Sequence, residues 1–209
     1  NKIGLKNLEI APFVLDKKPF KKNNIKKYKN ILAKKKLKIK SIQSTFYPYN
    51  EILSDKNLKK YLLKLFQFAK ELNVKNISLG TTPYRKYNSK NLEKINFKFF
   101  KQILIFAKKY KIYVSVEPVS NKYGNKFLTT HEEVLSLLKK FKNPYLKILF
   151  DFGNFYENSN SKELKIFFKK NIKKINHVHL SNKKITTFNL SYIKKNLKLL
   201  HKLNYKKSI

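Results

Sequence analysis

Lys147-Ile148-Leu149-Phe150-Asp151-Phe152, KILFDF, is an apolar run of strand length with an acid near its end. Ile112–Glu117 (IYVSVE) upstream has the same form and closes on Glu117, just before Pro118. Downstream, Ile175–Leu180 (INHVHL) carries His177 and His179, which share a face because strand side chains alternate. Working outward, Leu5–Ile10, Ile39–Phe46 and Asn76–Leu79 read as further strands. Helical patterns fill the intervals. Ile25, Tyr28, Ile31 and Leu32 share one helix face; Asp55 is a plausible cap for the Leu58–Leu72 pattern; Phe97, Phe100, Leu104 and Ala107 follow. Thr130 and Glu133 form a capping box, Ser161 opens the next helix, and Leu190–Leu203 gives the last. Six strands, each followed by a helix, imply a parallel sheet covered by helices. That pattern fits a doubly wound sheet or part of a barrel. It shows no internal repeat or linker, so residues 1–209 are expected to form a single domain.

Composition bounds the chemistry. The hydrophobic fraction of 42% suits a globular core, and no apolar run nears the roughly 18 residues of a membrane span. The expectation is a cytoplasmic protein without membrane contact. There is no cysteine, so a metal must sit on oxygen and imidazole donors, which suits Mn²⁺, Mg²⁺, Co²⁺ or Zn²⁺. The formal charge of +37 invites a nucleic-acid reading. The lysines, however, are spread over almost every segment and form no stripe. The chain is also rich in Asn, Ile, Phe and Tyr, which fits compositional drift toward A/T-rich codons. A diffuse charge and no specific nucleic-acid partner are expected.

The placement of polar residues carries more. Glu9, Gln43, Glu117, Asp151 and His179 all fall at or near the C-terminal end of a strand, the rim where parallel barrels build their sites. Each also has an ordinary reading. Glu117 can simply end a strand, Asp151 can cap the turn at Gly153-Asn154, and a strand histidine is usually packed core. His131, at a helix start, reads as solvated; His201 reads as structural. Together, Glu117, Asp151 and His179 on three successive strands match a divalent-metal site, and their ligand atoms should lie within about 6 Å of one another.

The motifs LEIAP (Leu8–Pro12), SIQS (Ser41–Ser44), VEP (Val116–Pro118), FDFGN (Phe150–Asn154) and HVHLSN (His177–Asn182) occur in order along the chain. This ordered set resembles the xylose isomerase-like barrel family, which includes ketose 3-epimerases, hydroxypyruvate isomerases, inosose dehydratases and endonuclease IV. The resemblance implies an α/β TIM-type (β/α)₈ barrel, here incomplete, lacking the first strand and most of the eighth. It implies metal ligands at Glu117, Asp151 and His179, plus a glutamate at the end of the eighth strand that would lie beyond Ile209. It implies a sugar or sugar-phosphate isomerase or epimerase, with Glu117 moving the proton next to a carbonyl. Inversion would need the second glutamate, so the 209-residue chain by itself is expected to be inactive. His177, Asn154, Gln43 and Glu9 become candidate substrate contacts, and Arg85 a candidate phosphate contact. Asn154 stands where many relatives have His, and Ser181-Asn182 where many have an acid. The competing readings are a non-catalytic sugar-binding barrel and an endonuclease IV-like nuclease. Unpaired strand edges would favour self-association into a homo-oligomer.

Overall fold

The structure, a computed structural model, describes residues 4–158, 160–182 and 190–209. The order is β1 (Asn7–Ile10), α1 (Pro12–Leu15), α2 (Lys22–Lys35), β2 (Lys38–Ile42), α3 (Asp55–Glu71), β3 (Asn76–Leu79), α4 (Pro83–Lys86), α5 (Leu92–Tyr110) and β4 (Tyr113–Val116). A 3₁₀ turn (Asn121–Tyr123), α6 (His131–Phe141), β5 (Leu146–Asp151), α7 (Phe152–Asn158), α8 (Ser161–Asn171), β6 (Ile175–His179) and α9 (Leu190–Lys202) follow. The six strands are parallel and pair in sequence order. A further parallel bridge joins His177 to Ser208.

The sheet is curled into an incomplete barrel. Six flat strands would hold the first and last about 24 Å apart at the usual spacing. Instead Glu9 on β1 meets His179 on β6 at 2.7 Å. The inner face is polar: Asn76 Nδ2 donates to Ser41 Oγ (2.8 Å), and Ser115 Oγ (2.6 Å) and Asn176 Nδ2 (2.9 Å) donate to Asn76 Oδ1. The outer face, Ile77, Leu79, Val114, Val116, Ile148 and Phe150, is buried against the helices. The β5–β6 register slips at Ile148/Leu149, so Asn176 and His177 both reach the interior.

Several boundaries differ from the sequence reading. β2 ends at Ile42, not Phe46: Ser44 takes a positive φ of 51° and Phe46 leaves the sheet to pack on Tyr61, Tyr84 and Phe99. Ser54, not Asp55, caps α3, and Asn160, not Ser161, caps α8 in a capping box with Glu163. His131 is not solvated: it is buried against Phe150, Phe155 and Phe167, and burial pulls its pKa down to about 3. His201 is exposed on α9 and holds no core position. No helix among the described residues is long and apolar enough to cross a membrane.

Candidate active site

Strand parity aims Glu117, Asp151 and His179 into the barrel at its C-terminal mouth, the ends of β4, β5 and β6. Their ligand atoms lie within 4.8 Å of one another. Burial pushes the Glu117 carboxyl up to about 7, and the neighbouring Asp151 charge adds to this. Two carboxylates held this close without a cation repel each other, and a divalent ion would relieve that repulsion. The donor set of two carboxylates and one imidazole fits such an ion.

Each donor is fixed by neighbours. Asn154 Nδ2 donates to Glu117 Oε1 (2.7 Å), while the Asn154 amide and the Ser181 hydroxyl donate to Asp151 Oδ1 (both 2.7 Å). Gly80 leaves room for Glu117, since a Cβ there would sit 3.0 Å from Oε2. Gly153 is more constrained still: a Cβ would meet Ser181 Oγ at 2.2 Å and the Asn182 carbonyl oxygen at 2.7 Å.

Glu9 and His177 lie against His179, their ligand atoms and its own within 4.8 Å of one another. Glu9 accepts from Ser78 Oγ (2.9 Å) and lies 2.7 Å from His179 Nε2 and 3.3 Å from His177 Nε2. Burial raises the Glu9 carboxyl, but the two imidazoles outweigh it and hold the group well below the usual carboxylate range. For His179, burial works downward and is outweighed by the Glu9 hydrogen bond and charge, so its pKa is raised. A carboxylate bonded to one ring nitrogen orients the other toward a metal. His177 Nδ1 is taken by Ser208 Oγ at 2.7 Å.

Arg85 is placed differently from the expectation. It is 1% exposed, and its guanidinium donates to the carbonyls of Glu117 (2.7 Å) and Leu79 (3.4 Å). It ties α4 to the end of β4 and does not face the cavity. Arg85 is the single arginine of the sequence, against 48 lysines in the Lys+Arg total of 49. That exception was the available signal: a planar fork serves two acceptors where an ammonium is a point charge. Gln43 and Asn154 do line the cavity, which has a volume of about 950 Å³.

The sequence profile of the xylose isomerase-like TIM barrel matches residues 1–198. The chain belongs to that family. No curated protein matches the sequence. Among solved structures, this xylose isomerase-like barrel is similar to a D-tagatose 3-epimerase-like protein (20% identity, TM-score 0.75, covering 98% of this chain and 80% of the other). It is similar to a 3-keto-D-glucoside 4-epimerase from E. coli (17%, TM-score 0.75, 99% and 81%). An AP endonuclease, family 2, from Brucella melitensis is as near in shape (14%, TM-score 0.75, 99% and 81%). At these identities the likeness establishes the fold, and one fold serves several chemistries. The function of this family member has to be argued from its own site.

Proposed function

We propose that the protein is a divalent-metal-dependent isomerase or epimerase of a sugar or sugar phosphate. The observation that carries this reading is the convergence of Glu117, Asp151 and His179 at the C-terminal mouth of the barrel. A bound Mn²⁺, Mg²⁺, Co²⁺ or Zn²⁺ would supply Lewis-acid polarisation of a substrate carbonyl and its neighbouring hydroxyl.

The chain's own residues do the rest. Glu117 is the base that removes the proton from the carbon beside the carbonyl. Asn154 holds Oε1 of Glu117, and Arg85 holds its backbone carbonyl, so the carboxylate is aimed from two sides. Glu9 sets the orientation of the His179 ring. Gln43 lines the cavity and is placed to hydrogen-bond a sugar hydroxyl. The AP endonuclease likeness raises the alternative of a nucleic-acid substrate. The small substrate is favoured because, among the described residues, a single lysine, Lys86, lines the cavity that holds the carboxylates.

The test is solvent exchange. The protein is stripped of metal, reloaded with each of the four ions, and given ketoses and ketose phosphates in deuterated water. Removal and return of a proton on one face needs only Glu117; inversion needs a second group on the other face. Metal-dependent deuterium incorporation, abolished by Glu117→Gln, is the expected result. No incorporation into any carbonyl sugar while metal is demonstrably bound would refute the reading.

A further inference from the structure

His177 is 3% exposed, yet it is not one of the three metal donors proposed above. It reaches the donor His179 in two ways. The two rings meet edge to face, with centroids 5.1 Å apart and planes at 83°. Both rings also face one carboxylate, Glu9, with His179 Nε2 at 2.7 Å and His177 Nε2 at 3.3 Å. An ionised carboxylate only accepts, and the two imidazoles keep Glu9 ionised, so each of these nitrogens carries its hydrogen. A neutral His177 ring then presents a lone pair at Nδ1, where the Ser208 hydroxyl donates at 2.7 Å. Ser208 is thus a closer partner of His177 than Glu9 is.

Ser208 is itself anchored. It follows α9, and its backbone bridges to His177 on β6. The Val178 amide donates to the Ser208 carbonyl at 3.1 Å, and the Tyr205 hydroxyl donates to the same oxygen at 3.2 Å. Tyr205 is sunk in the core, and Lys207 Nζ donates to the Ile175 carbonyl at 2.8 Å. The half-buried Ser208 hydroxyl is therefore held at a set place beside the His177 ring.

From this arrangement we propose that Ser208 and His177 are positioning residues for the metal donor His179. Ser208 sets the His177 ring, and His177 sets the His179 ring through their edge contact and through Glu9. The segment after α9 then governs how tightly the carboxylate mouth holds its ion. The effect on the ion rests on the metal-dependent reading above; the coupling from Ser208 to the His179 ring does not.

The experiment has two arms. The first uses metal-free protein labelled with ¹⁵N at histidine, at one fixed pH. Ser208→Ala should displace the ring resonances of both His177 and His179, and Ser208→Thr, which keeps the hydroxyl, should restore them. Displacement of His177 alone would overturn the proposal. The second arm is Mn²⁺ calorimetry. His177→Phe keeps a ring but loses both nitrogens, and should weaken Mn²⁺ about tenfold, the low end for an outer partner of a ligand. Ser208→Ala removes one neutral hydrogen bond and should weaken Mn²⁺ about threefold, with Ser208→Thr within about twofold of wild type. Adding Ser208→Ala to His177→Phe should weaken Mn²⁺ no further, because Ser208 acts only through His177. A second loss of about threefold in that double variant would mark Ser208 as merely structural and overturn its assigned role. Absent Mn²⁺ binding in wild type, with both rings still displaced together in Ser208→Ala, would refute the metal-dependent isomerase reading alone.

Discussion

The two mouths of the barrel carry opposite chemistry. At the C-terminal mouth the cavity is lined by Glu117 and Asp151 and, among the described residues, by one lysine. At the N-terminal mouth a second cavity of about 690 Å³ is lined by Lys29, Lys38, Lys40, Lys75, Lys206 and Lys207, with Glu71 already paired to Lys29. In a chain of +37, an accumulation of lysine says little, because any permissive surface acquires it. A place where lysine is nearly missing says more. Among the described residues lysine is scarce at the carboxylate mouth, as the proposed metal site would require.

The largest effect that tests this contrast is on metal affinity. Glu117→Gln or Asp151→Asn should weaken Mn²⁺ binding by more than the roughly 100-fold that an outer hydrogen-bond partner contributes. Lys38→Met/Lys75→Met should leave it within about twofold. Calorimetry of the metal-stripped protein decides; equal losses from the two mouths would erase the distinction.

Next comes pH. The folded-state pKa of Glu117 is raised to about 7 from 4.5, so its contribution to stability is fully present below pH 4.5 and is lost as pH rises through 7. The loss is up to about 3 kcal/mol, and less to the extent that solvent reaches this partly exposed carboxylate. Lys207 at the other mouth is lowered by burial and by Lys147, so its contribution runs the opposite way, improving only as pH rises toward the ordinary lysine range. Denaturant melts of metal-free protein at pH 5 and pH 8 should show the fall, and Glu117→Gln should flatten it. A metal-free protein equally stable at both values would contradict the assignment.

A smaller change sharpens the contrast within the carboxylate mouth. Glu9→Gln should weaken Mn²⁺ about 10–100-fold by freeing the His179 ring. Unchanged affinity would show that Glu9 does not orient His179. The smallest effect belongs to the lysine mouth: Lys38→Met/Lys75→Met should elute from a polyanion column at slightly lower salt, with each charge worth under about 1 kcal/mol. Elution unchanged from wild type would mean the lysine mouth is no stickier than the rest of the surface.

Much of this was legible in the sequence, and the parts that were not have physical reasons. β4, β5 and β6 announce themselves because their helix-facing residues must be apolar, so Glu117, Asp151 and His179 stand out where the runs end. The partner of His179 did not stand out. Glu9 lies 170 residues away, and only the curl of the sheet brings the two together. Arg85 resembled an anion contact because exposed loops usually present their cations outward. The sequence does not show that two free carbonyls wait beneath it. His131 followed a capping threonine and read as solvated, while the ring beside it, Phe150, comes from a strand.

The contact between Glu9 and His179 joins the first and last strands of the sheet through a residue that is also a candidate metal donor. The barrel seam and the site are therefore one mechanical unit. Whatever stiffens His179 latches β1 to β6, and whatever releases it lets that edge breathe. Backbone amide exchange would report this directly. Adding Mn²⁺ should slow deuteration across Asn7–Ile10 more than across Asn76–Leu79, which is already enclosed between β2 and β4. Occupancy of the mouth would then be readable from a strand that supplies none of the three proposed metal ligands.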